Sequence, residues 1–517
     1  WLMASASGLA GVRDDSGSGE GLDYSQLVKD LKNSVWKDRV TFPYSYRVEQ
    51  LTNLRKGLEI RCDDLLGAVH KDLRKHPHEA FAGEVGTIVN HIDFCLANLK
   101  EWMAPVSVPQ PLILQPGSSK ILLQPKGVVL NICPWNYPIS MAFNASVYAI
   151  AAGNAVVIKP SEMTPASAQL IEEVVNQYLD PRCCRVVQGA VPETTALLRE
   201  PWDHIFYTGN GAVGRIISAA AAKHLTPVTL ELGGKSPCYV DPSCNLDVCA
   251  SRIVGSKLFN MGQTCVAPDY LLVHKDIKKQ FLASLVTAAE KMLGGNPKHN
   301  NSLARIVNER HWDRVMRLLS SPHGGEVIFG GIGDGNNLET ADRTDKFITP
   351  TFILNPSASS PLMEEEIFGP ILPIFTVENV DSAIDFINHR ETPLALYVFS
   401  GDEKIQKKVV KRTKSGGVCV NDCIFHIANP GMPFGGNGAS GHGKYHGIFG
   451  FQEFSHARSV MNRSTWLDNP KRYPPYEEGS EELLKKIVIG PLIPPYIKYL
   501  LISAMTVGGA LFLRSRM

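Results

Sequence analysis

The amino-acid sequence predicts an α/β fold with a Rossmann-like parallel sheet. Between residues 127 and 234, continuous apolar segments of strand length alternate with segments of helical periodicity. This alternation is typical of βαβ units, in which helices cover both faces of a parallel sheet. Residues 24–102 instead carry apolar side chains at three- and four-residue spacing among many charges, which predicts helices. The 517 residues are enough for two or three domains with large cores.

The elements of the predicted sheet follow one another along the chain. Strands are predicted at GVVLNICP, NAVVIKP, RVVQGA, DHIFYTG and PVTLELGG. The helices predicted among them are ISMAFNASVYAIAAG, TPASAQLIEEVVNQYL and AVGRIISAAAAKHL. Sheets of this kind bind ligands beyond the carboxyl ends of their strands. The residues at these ends are Asn136, Lys159, Gly189, Gly209 and Glu231.

Two segments outside this sheet have recognisable patterns. LILQPGSSKILLQP, residues 112–125, predicts a β-hairpin with its turn at Gly117, Ser118 and Ser119. Residues 330–344 are polar and rich in glycine, which indicates a surface insertion, and we assign no function to it.

Residues 1–22 are predicted to be a disordered leader. They are small, rich in glycine and serine, and include acidic residues. A secretory signal peptide needs a continuous apolar core and a mitochondrial presequence avoids acids, so neither is indicated. Because Trp1 is not an initiator, Met3 is a plausible start of the chain.

Residues 487–517 form a hydrophobic tail behind a polar linker at residues 471–486. A helix that begins after Pro495 has eighteen residues before Arg514. Such a helix is about 27 Å long, close to the roughly 30 Å of a hydrocarbon core. Lys498 and Arg514 would then lie at the two interfaces. We expect the tail to be a membrane anchor, and a helix docked on the body of the protein is the alternative.

Composition and charge exclude several classes of function. The formal net charge of +1 gives no electrostatic reason for nucleic-acid binding. The eleven cysteines are an odd number without a Cys-x-x-Cys pair, so neither a zinc site nor a disulfide framework is predicted. Pro77 separates His76 from His78, and with no third ligand nearby a metal site is not expected there. The free cysteines indicate a reducing compartment.

A glycine-rich loop indicates a dinucleotide cofactor. GNGAVG, residues 209–214, matches Gly-x-Gly-x-x-Gly after a predicted strand and at the start of a helix. Glu231 follows about twenty residues later, where an acid that binds a ribose is expected. The segment KPSE offers a second candidate, with Lys159 and Glu162 at the end of the second strand. Both placements imply a nicotinamide cofactor, and they leave the role of Glu231 open.

One cysteine has the setting of a nucleophile. Cys265 lies in GQTCVAPDY, between a Gly-Gln-Thr turn and a short apolar stretch that ends at Pro268. A nucleophile must be exposed to substrate and held by flexible backbone, whereas a packing cysteine needs neither. The other ten cysteines are expected to be buried.

Six motifs occur in order along the chain: PWNYP, KPSE, LELGGKSP, GQTCVAPDY, EEIFGP and PFGGNGASGHGKYHG. On these motifs the chain resembles the aldehyde dehydrogenase superfamily from about residue 24 to residue 470. It is similar to the class 3 branch in its short N-terminal part, in the APDY after the cysteine and in its hydrophobic tail. The resemblance implies the aldehyde dehydrogenase fold and NAD- or NADP-dependent oxidation of an aldehyde to an acid.

The resemblance also implies three catalytic roles. Cys265 would attack the aldehyde carbon and carry first a thiohemiacetal and then a thioester. The side-chain amide of Asn136 and the backbone N–H of Cys265 would stabilise the oxyanion. Glu231 would activate the water that hydrolyses the thioester, rather than bind the cofactor.

The same resemblance places the riboses of the cofactor. Lys159 and Glu162 would bind the adenosine ribose, and Glu366 and Phe368 would hold the ribose on the nicotinamide side. Because Glu162 would repel a 2′-phosphate, NAD is favoured and NADP stays possible.

The pyrophosphate is expected at the glycine-rich loop. Gly209, Val213 and Gly214 would lie near it at the N-terminus of a helix, where negative charge is favoured. The family has a bulkier residue where this chain has Gly211, and the glycine would give the backbone more freedom there.

Domain boundaries follow from this placement. Residues 23–230 are expected to bind NAD, and residues 231–420 to form an α/β catalytic domain. Residues 421–470 would return to the region of the cofactor and of oligomerisation, where the 112–125 hairpin would contribute to a homodimer.

The leading hypothesis is oxidation of medium- or long-chain aliphatic aldehydes. The hydrophobic tail indicates a membrane, and such aldehydes partition into membranes. An enzyme for aromatic or short-chain aldehydes is the alternative. An acylating dehydrogenase that uses coenzyme A would not need Glu231, and a non-catalytic structural homologue would not need Cys265 or Asn136. The expected location is the cytosolic face of a membrane, that of the endoplasmic reticulum, with the cytoplasm as the alternative.

Overall fold

The structure is a computed structural model that describes residues 23–111, 114–333 and 339–466, and beyond them residues 468, 472–479, 481–482 and 485. The expected leader (1–22) and hydrophobic tail (487–517) lie outside the described residues, as do parts of the linker and of the insertion. Within the part of the chain that is described, no helix has both the length and the apolar character needed to cross a membrane.

The chain divides into two compact units. The first contains the residues up to 102 and residues 125–455, and the second contains residues 103–124 and those from 456 onward. The α-helices of the described residues are α1 (Ser25–Lys32), α2 (Tyr44–Ile60), α3 (Cys62–Leu73), α4 (Pro77–Ala80), α5 (Gly86–Trp102), α6 (Pro138–Ala151), α7 (Pro165–Tyr178), α8 (Val191–Leu197), α9 (Gly211–Ala222), α10 (Leu246–Leu258), α11 (Lys278–Leu293), α12 (Glu309–Ser320), α13 (Pro361–Glu364), α14 (Val380–Asn388), α15 (Glu403–Arg412) and α16 (Gly447–Glu453).

The strands described are β1 (Val106–Val108), β2 (Gly117–Pro125), β3 (Val128–Ile132), β4 (Ala155–Lys159), β5 (Cys184–Val186), β6 (His204–Gly209), β7 (Val228–Leu232), β8 (Pro237–Val240), β9 (Tyr270–His274), β10 (Glu326–Phe329), β11 (Ala341–Asp342), β12 (Phe347–Ile348), β13 (Thr351–Leu354), β14 (Ile371–Val377), β15 (Ala395–Phe399), β16 (Gly417–Val420), β17 (Gly441–His442) and β18 (Ser455–Arg463).

The predicted parallel sheet is present in the first unit. Its strands run in the order β17-β7-β6-β3-β4-β5, all parallel except β17. Every residue of β3 and β4 is buried, which explains why these strands read as continuous apolar runs. The predicted helices are α6, α7 and α9, whereas α8 was not predicted. The fold class expected from the sequence is therefore confirmed.

A second sheet follows in the same unit. Its order is β10-β13-β14-β9-β8-β15-β16, and β10 is its antiparallel edge. Its core joins α10 and α11, with Phe281 on α11, to inner residues of β8, β9 and β15 such as Leu271 and Tyr397. The loop between α10 and β9 contains Cys265, so this sheet carries the candidate nucleophile.

The predicted position of the hairpin turn is wrong. Gly117, Ser118 and Ser119 begin β2, which pairs antiparallel with β1, Val106 opposite Ile121. The chain reverses before β2, in a segment whose prolines cannot donate to a strand ladder. A β-carbon on Gly117 would lie 2.7 Å from the backbone oxygen of Asn462, so this glycine permits a close approach of strands rather than a turn.

Candidate active site

The carboxyl ends of the parallel strands meet at one edge of the first sheet, as the sequence predicts. Lys159 ends β4 and pairs with Ile132, the last residue of β3. Gly209 ends β6, and Glu231 is the fourth residue of the neighbouring β7. Asn136 lies between the end of β3 and the start of α6. These four candidate residues therefore share one edge of the sheet.

Asn136 is bonded to the loop that carries Cys265. Its Nδ2 donates a hydrogen bond to the backbone oxygen of Gln263 at 3.0 Å. Its own backbone oxygen accepts hydrogen bonds from Lys75 Nζ at 2.7 Å and from Asn260 Nδ2 at 2.9 Å. The bond to Gln263 uses one of the two hydrogens on Nδ2, so the other is available to a ligand oxygen.

The loop before Cys265 has a left-handed backbone. The φ angles are 51° at Asn260, 52° at Met261 and 74° at Gly262. A β-carbon at Gly262 would collide with the backbone oxygen of Gly369. Non-glycine residues in this region cost about 1–3 kcal/mol each, so neighbouring contacts must hold the loop in place.

Gln263 supplies many of these contacts. Its Nε2 donates hydrogen bonds to the backbone oxygens of Asn260 at 3.0 Å and Arg305 at 2.9 Å. Its Oε1 accepts a hydrogen bond from the backbone N–H of Val307 at 3.0 Å. The sequence suggested flexible backbone at Cys265, and the structure instead shows a loop that hydrogen bonds fix on several sides.

The accessibility of the cysteines agrees only in part with the expectation. Cys265 is partly exposed, and seven of the remaining cysteines are buried. Three others are partly exposed as well, namely Cys62, Cys244 and Cys419. Exposure alone therefore does not distinguish Cys265, and its place shortly after the left-handed turn at residues 260–262 does.

The surroundings of Cys265 disfavour ionisation of its thiol. Burial raises the pKa of Cys265 above its usual range, and the charges of Glu366 and Glu231 raise it further. The backbone N–H groups of Cys265 and Val266 act in the opposite direction, because they donate hydrogen bonds to the sulfur. Since the thiolate is the nucleophile, ionisation requires a base or a positive charge that arrives with a ligand.

Glu231 is a buried carboxyl group whose two oxygens accept no hydrogen bond from the described residues. Burial raises its pKa well above the ordinary range, and the charge of Glu453 adds to this. Gly441 of β17 pairs directly with Glu231, and a β-carbon on Gly441 would collide with the backbone of β7. A buried carboxyl group without a partner is costly, which points to a ligand or water as its partner.

Lys159 and Glu162 lie together at the end of β4. Lys159 Nζ donates hydrogen bonds to Glu162 Oε2 at 3.0 Å and to the backbone oxygen of Pro160 at 2.9 Å. Lys159 is buried and Glu162 is largely accessible. The pair thus offers an exposed carboxylate acceptor that is held by a buried cation, and such an acceptor fits a hydroxyl group of a ribose.

The glycine-rich loop lies at the N-terminus of α9. Asn210 Oδ1 accepts a hydrogen bond from the backbone N–H of Val213 at 3.0 Å and caps α9. A β-carbon on Gly209 would collide with the hydroxyl of a tyrosine in β6, and one on Gly214 would lie 3.1 Å from a leucine of β7. A β-carbon on Gly211 would meet no atom nearer than 3.4 Å, so this departure from the family has no steric cause.

Glu366 and Phe368 lie on the loop between α13 and β14. A β-carbon on Gly233 would collide with the carboxylate of Glu366, which accepts a hydrogen bond from the backbone N–H of Gly234. Burial raises the pKa of Glu366 to about 8, and the charge of Asp269 contributes. Phe368 has a φ of 47°, and its ring meets the ring of Trp135 edge-on at 5.3 Å.

Charged residues fix this loop from three sides. Asp269 Oδ1 accepts a hydrogen bond from the backbone N–H of Ile367 at 3.1 Å, and Arg314 donates to the backbone oxygen of Ile367 at 2.6 Å. Lys235 forms an ion pair with Asp269 at 2.5 Å and donates to the backbone oxygen of Glu365 at 2.9 Å. The two glycines that follow Glu231 thus contact a fixed loop that carries a second buried carboxyl group.

Sequence reasoning missed a buried ion pair behind Asn136. Lys75 Nζ and Glu84 Oε1 are 2.8 Å apart, and both side chains are completely buried. Lys75 also lies 3.8 Å from the ring centre of Tyr137. Glu84 shares a helical face with Ile88 and Ile92, both fully buried. A single charged residue on an apolar face was the sequence signal that could have identified Glu84.

Lys257 is a further buried residue that the sequence did not single out. No described residue accepts a hydrogen bond from its Nζ. Burial lowers its pKa to about 8, although the charges of Asp269 and Glu366 act against this. Among the residues that the structure describes, no group of three His, Cys, Asp or Glu side chains could hold a metal ion.

Comparison with known proteins identifies the family. The sequence model of the aldehyde dehydrogenase family matches residues 32–460. The chain belongs to the aldehyde dehydrogenase family. It is therefore an oxidoreductase that acts on aldehydes, and its cofactor is NAD or NADP.

The relatives belong to class 3. The Arabidopsis thaliana protein named aldehyde dehydrogenase family 3 member H1 is 44% identical over 470 residues, 90% of this chain and 94% of its own. The Mus musculus protein named aldehyde dehydrogenase, dimeric NADP-preferring, is 46% identical over 84% of this chain and 94% of its own. Rat aldehyde dehydrogenase family 3 member A2 is 42% identical over 94% of this chain and its own full length.

Solved structures agree with this assignment. The substrate-bound state of Staphylococcus aureus AldH is 40% identical, with a TM-score of 0.84, and the match covers 89% of this chain and 98% of that one. The resemblance that the sequence motifs carry is thereby confirmed at the level of family, class and fold.

Proposed function

We propose that the chain oxidises medium- or long-chain aliphatic aldehydes to carboxylic acids with NAD or NADP, with Cys265 as nucleophile, Asn136 as oxyanion donor and Glu231 as general base. The observation that carries the catalytic part is the pairing of a partly exposed thiol with a buried, unpartnered carboxyl group. The charge of Glu231 acts on the pKa of Cys265, so the two groups are electrostatic neighbours. The choice of aliphatic substrates rests on the hydrophobic tail of the sequence.

The first step forms a bond between Cys265 Sγ and the aldehyde carbon. The thiol loses its proton to a base, for which Glu231 is the candidate, and the carbonyl oxygen becomes an oxyanion. The second hydrogen of Asn136 Nδ2 and the backbone N–H of Cys265 would stabilise this charge. One donor of this kind is typically worth about 3 kcal/mol, or a factor of 10²–10³ in rate.

The cofactor, when bound, accepts the hydride that leaves the tetrahedral carbon. Lys159 and Glu162 would hold the adenosine ribose, and Gly209, Val213 and Gly214 would face the pyrophosphate, where a helix N-terminus favours negative charge. Glu366 and Phe368 would orient the ribose on the nicotinamide side. Cys265 then carries the acyl group as a thioester.

The last step hydrolyses this thioester. Glu231, after it has given the thiol proton to solvent, would take a proton from a water molecule, whose oxygen attacks the acyl carbon, and the carbon–sulfur bond breaks to release the acid and the Cys265 thiolate. Burial raises the pKa of Glu231, which makes its carboxylate a stronger proton acceptor. This step separates the proposal from an acylating dehydrogenase, in which coenzyme A would accept the acyl group. Free acid as the product, unaffected by added coenzyme A, is the expected result.

The coenzyme preference is expected to favour NAD through Glu162. Its carboxylate would repel a 2′-phosphate on the adenosine ribose, and the ion pair with Lys159 would hold it near that position. Glu162→Gln is expected to raise kcat/KM for NADP relative to NAD about tenfold. If this ratio of kcat/KM values is unchanged, Glu162 does not lie near the 2′-position of the bound adenosine ribose.

Assembly and location are part of the proposal. We infer a homodimer to which the segment around β1 and β2 contributes, with residues 23–230, 231–420 and 421–470 in the roles given above. The mouse relative whose name describes it as dimeric supports this. We also infer that residues 487–517 anchor the enzyme on the cytosolic face of a membrane, that of the endoplasmic reticulum. Sedimentation and membrane fractionation with and without residues 485–517 would test both points.

The test of substrate class is NADH formation over aldehydes from about four to sixteen carbons, with Cys265→Ala as control. Activity that rises with chain length and is absent in the control is expected. Activity confined to short or aromatic aldehydes would keep the chemistry and contradict the aliphatic preference.

A further inference from the structure

Glu79 connects the helical N-terminal segment to the nucleophile loop. It lies in α4, and its Oε1 accepts a hydrogen bond from the backbone N–H of Asn260 at 2.7 Å, although 181 residues separate the two. Asn260 is completely buried. Without Glu79 its N–H would lack this partner in a place where water does not reach it.

The bond is made where the backbone turns left-handed. Asn260 has a φ of 51° and is the first of the three residues in this conformation, which ends at Gly262. A strained turn persists only when its surroundings determine it. The carboxylate of Glu79 supplies a fixed, charged acceptor at the first residue of the turn.

The side chain of Asn260 carries the connection to both candidate catalytic residues. Its Nδ2 donates hydrogen bonds to the backbone oxygens of Asn136 at 2.9 Å and Gln263 at 3.0 Å. The same oxygen of Gln263 accepts the hydrogen bond from Asn136 Nδ2 at 3.0 Å. A shift of Asn260 would therefore move the amide of Asn136 and the loop two residues before Cys265 together.

We propose that Glu79 is a positioning residue for aldehyde oxidation, whose carboxylate fixes the turn at Asn260 and through it the places of Cys265 and Asn136. The inference rests on the proposed roles of Cys265 and Asn136. Glu79 belongs to none of the motifs by which the sequence resembles its family, and it contacts neither substrate nor cofactor in this role.

The charges around Glu79 make its contribution depend on pH. Burial raises its pKa to about 7, against the effects of Lys75 and of the Asn260 N–H, while Glu84 raises it. The other titratable group that faces it is the phenol of Tyr137, whose own pKa Glu79 raises after the larger effect of burial. The carboxylate, which is the stronger acceptor, therefore forms as pH rises through about 7.

The experiment compares Glu79→Gln and Glu79→Ala with the wild-type enzyme. The glutamine keeps a neutral acceptor, and the alanine removes the acceptor. The matched control is Asp402→Ala, because Asp402 Oδ1 also accepts a backbone N–H, that of Lys404, at 2.7 Å but at the start of α15. The measurement is kcat at saturating aldehyde and NAD from pH 6 to 8.5, with KM for both and the thermal unfolding midpoint.

The ratio of wild-type to Glu79→Gln kcat isolates the role of Glu79, because pH effects of other groups cancel in it. This ratio is expected to rise severalfold with a midpoint near pH 7. Glu79→Ala is expected to lose about tenfold in kcat at pH 8 with KM for NAD nearly unchanged. Asp402→Ala should match the wild type in kcat at every pH.

A flat ratio, together with wild-type kcat in Glu79→Ala, would overturn the inference. If the alanine variant does not fold, the ratio for the glutamine variant decides alone. If the wild-type enzyme itself forms no NADH from any aldehyde, the proposed function has failed instead. The rate at which iodoacetamide alkylates Cys265 then tests the positioning, and equal rates in wild type and Glu79→Ala would contradict it.

Discussion

The loop that carries Cys265 and the strand that carries Glu231 differ in the hydrogen bonding of their polar side chains. In the loop, Gln263 uses its amide oxygen and nitrogen for three hydrogen bonds to backbone, each 2.9–3.0 Å long. At Glu231, neither oxygen accepts a hydrogen bond from any residue that the structure describes. Satisfied groups fix a position, whereas an unpartnered carboxyl group is free to exchange a proton with a ligand or water. In the proposed mechanism, this contrast corresponds to a nucleophile held in one position and a base that is free to exchange protons.

The strongest test of this contrast is removal of the nucleophile. Cys265→Ser should lower kcat by about 10⁴-fold or more, because a hydroxyl is a much weaker acid than a thiol and an alkoxide is a poorer leaving group than a thiolate. Cys244→Ser is the matched control, since Cys244 is also partly exposed. The measurement is NADH formation with a saturating aliphatic aldehyde. A large loss in the control, or a small one in Cys265→Ser, would transfer the role of nucleophile away from Cys265.

Glu231→Gln removes the base and retains the shape of the side chain. Steady-state turnover should fall by about 10²–10⁴-fold, the usual range for a general base. If Glu231 acts chiefly in hydrolysis, a rapid burst of NADH close to one per active site should remain, because oxidation precedes that step. Stopped-flow absorbance at 340 nm would measure the burst. Loss of the burst together with turnover would show that Glu231 is needed to ionise Cys265.

Gln263→Ala tests the hydrogen-bonded loop, the first of the two regions compared. It removes three hydrogen bonds from buried backbone groups, so the free energy of unfolding should fall by about 3 kcal/mol. Activity should fall as well, because the amide also holds the turn at Asn260. Gln406→Ala is the control, since its Nε2 donates to one backbone oxygen of Ser400 near the surface. Urea denaturation that gave equal losses for the two variants would contradict the special role of Gln263.

Glu366→Gln tests how much a buried carboxyl group lowers the stability of the folded protein as pH rises. Burial raises the pKa of Glu366 to about 8, so the folded protein binds this proton more tightly than the unfolded chain does. Its contribution to stability is therefore full below the unfolded pKa of about 4.3 and is lost as pH rises to about 8. The difference in unfolding midpoint, variant minus wild type, should rise between pH 5 and 8.5. A difference independent of pH would mean that Glu366 is ionised throughout.

The first sheet could be predicted because its strands are buried on both faces and leave apolar runs in the sequence. The edge that gathers Asn136, Lys159, Gly209 and Glu231 followed from the rule for parallel strands. The hairpin turn was misplaced because glycine and serine mark turns only on average, and here Gly117 begins a strand.

The supports of the site could not be predicted because they join distant parts of the chain. Glu79 meets Asn260 and Lys75 meets Asn136 across 181 and 61 residues, and neither contact leaves a local pattern. The surroundings of Glu231 also depend on the complete fold, because its partner in the neighbouring strand β17 is Gly441, 210 residues later in the chain. Motifs predicted the candidate site residues, and only the structure showed which of them have hydrogen-bond partners among the described residues.

The central claim is that Cys265 carries the acyl group and Glu231 releases it. The most direct measurement is mass spectrometry of peptides from Glu231→Gln enzyme, quenched in acid after mixing with decanal and NAD. The account predicts a decanoyl thioester on the peptide that contains Cys265 and on no other cysteine peptide. An acyl group on a different cysteine, or none on Cys265 although NADH has formed, would contradict it.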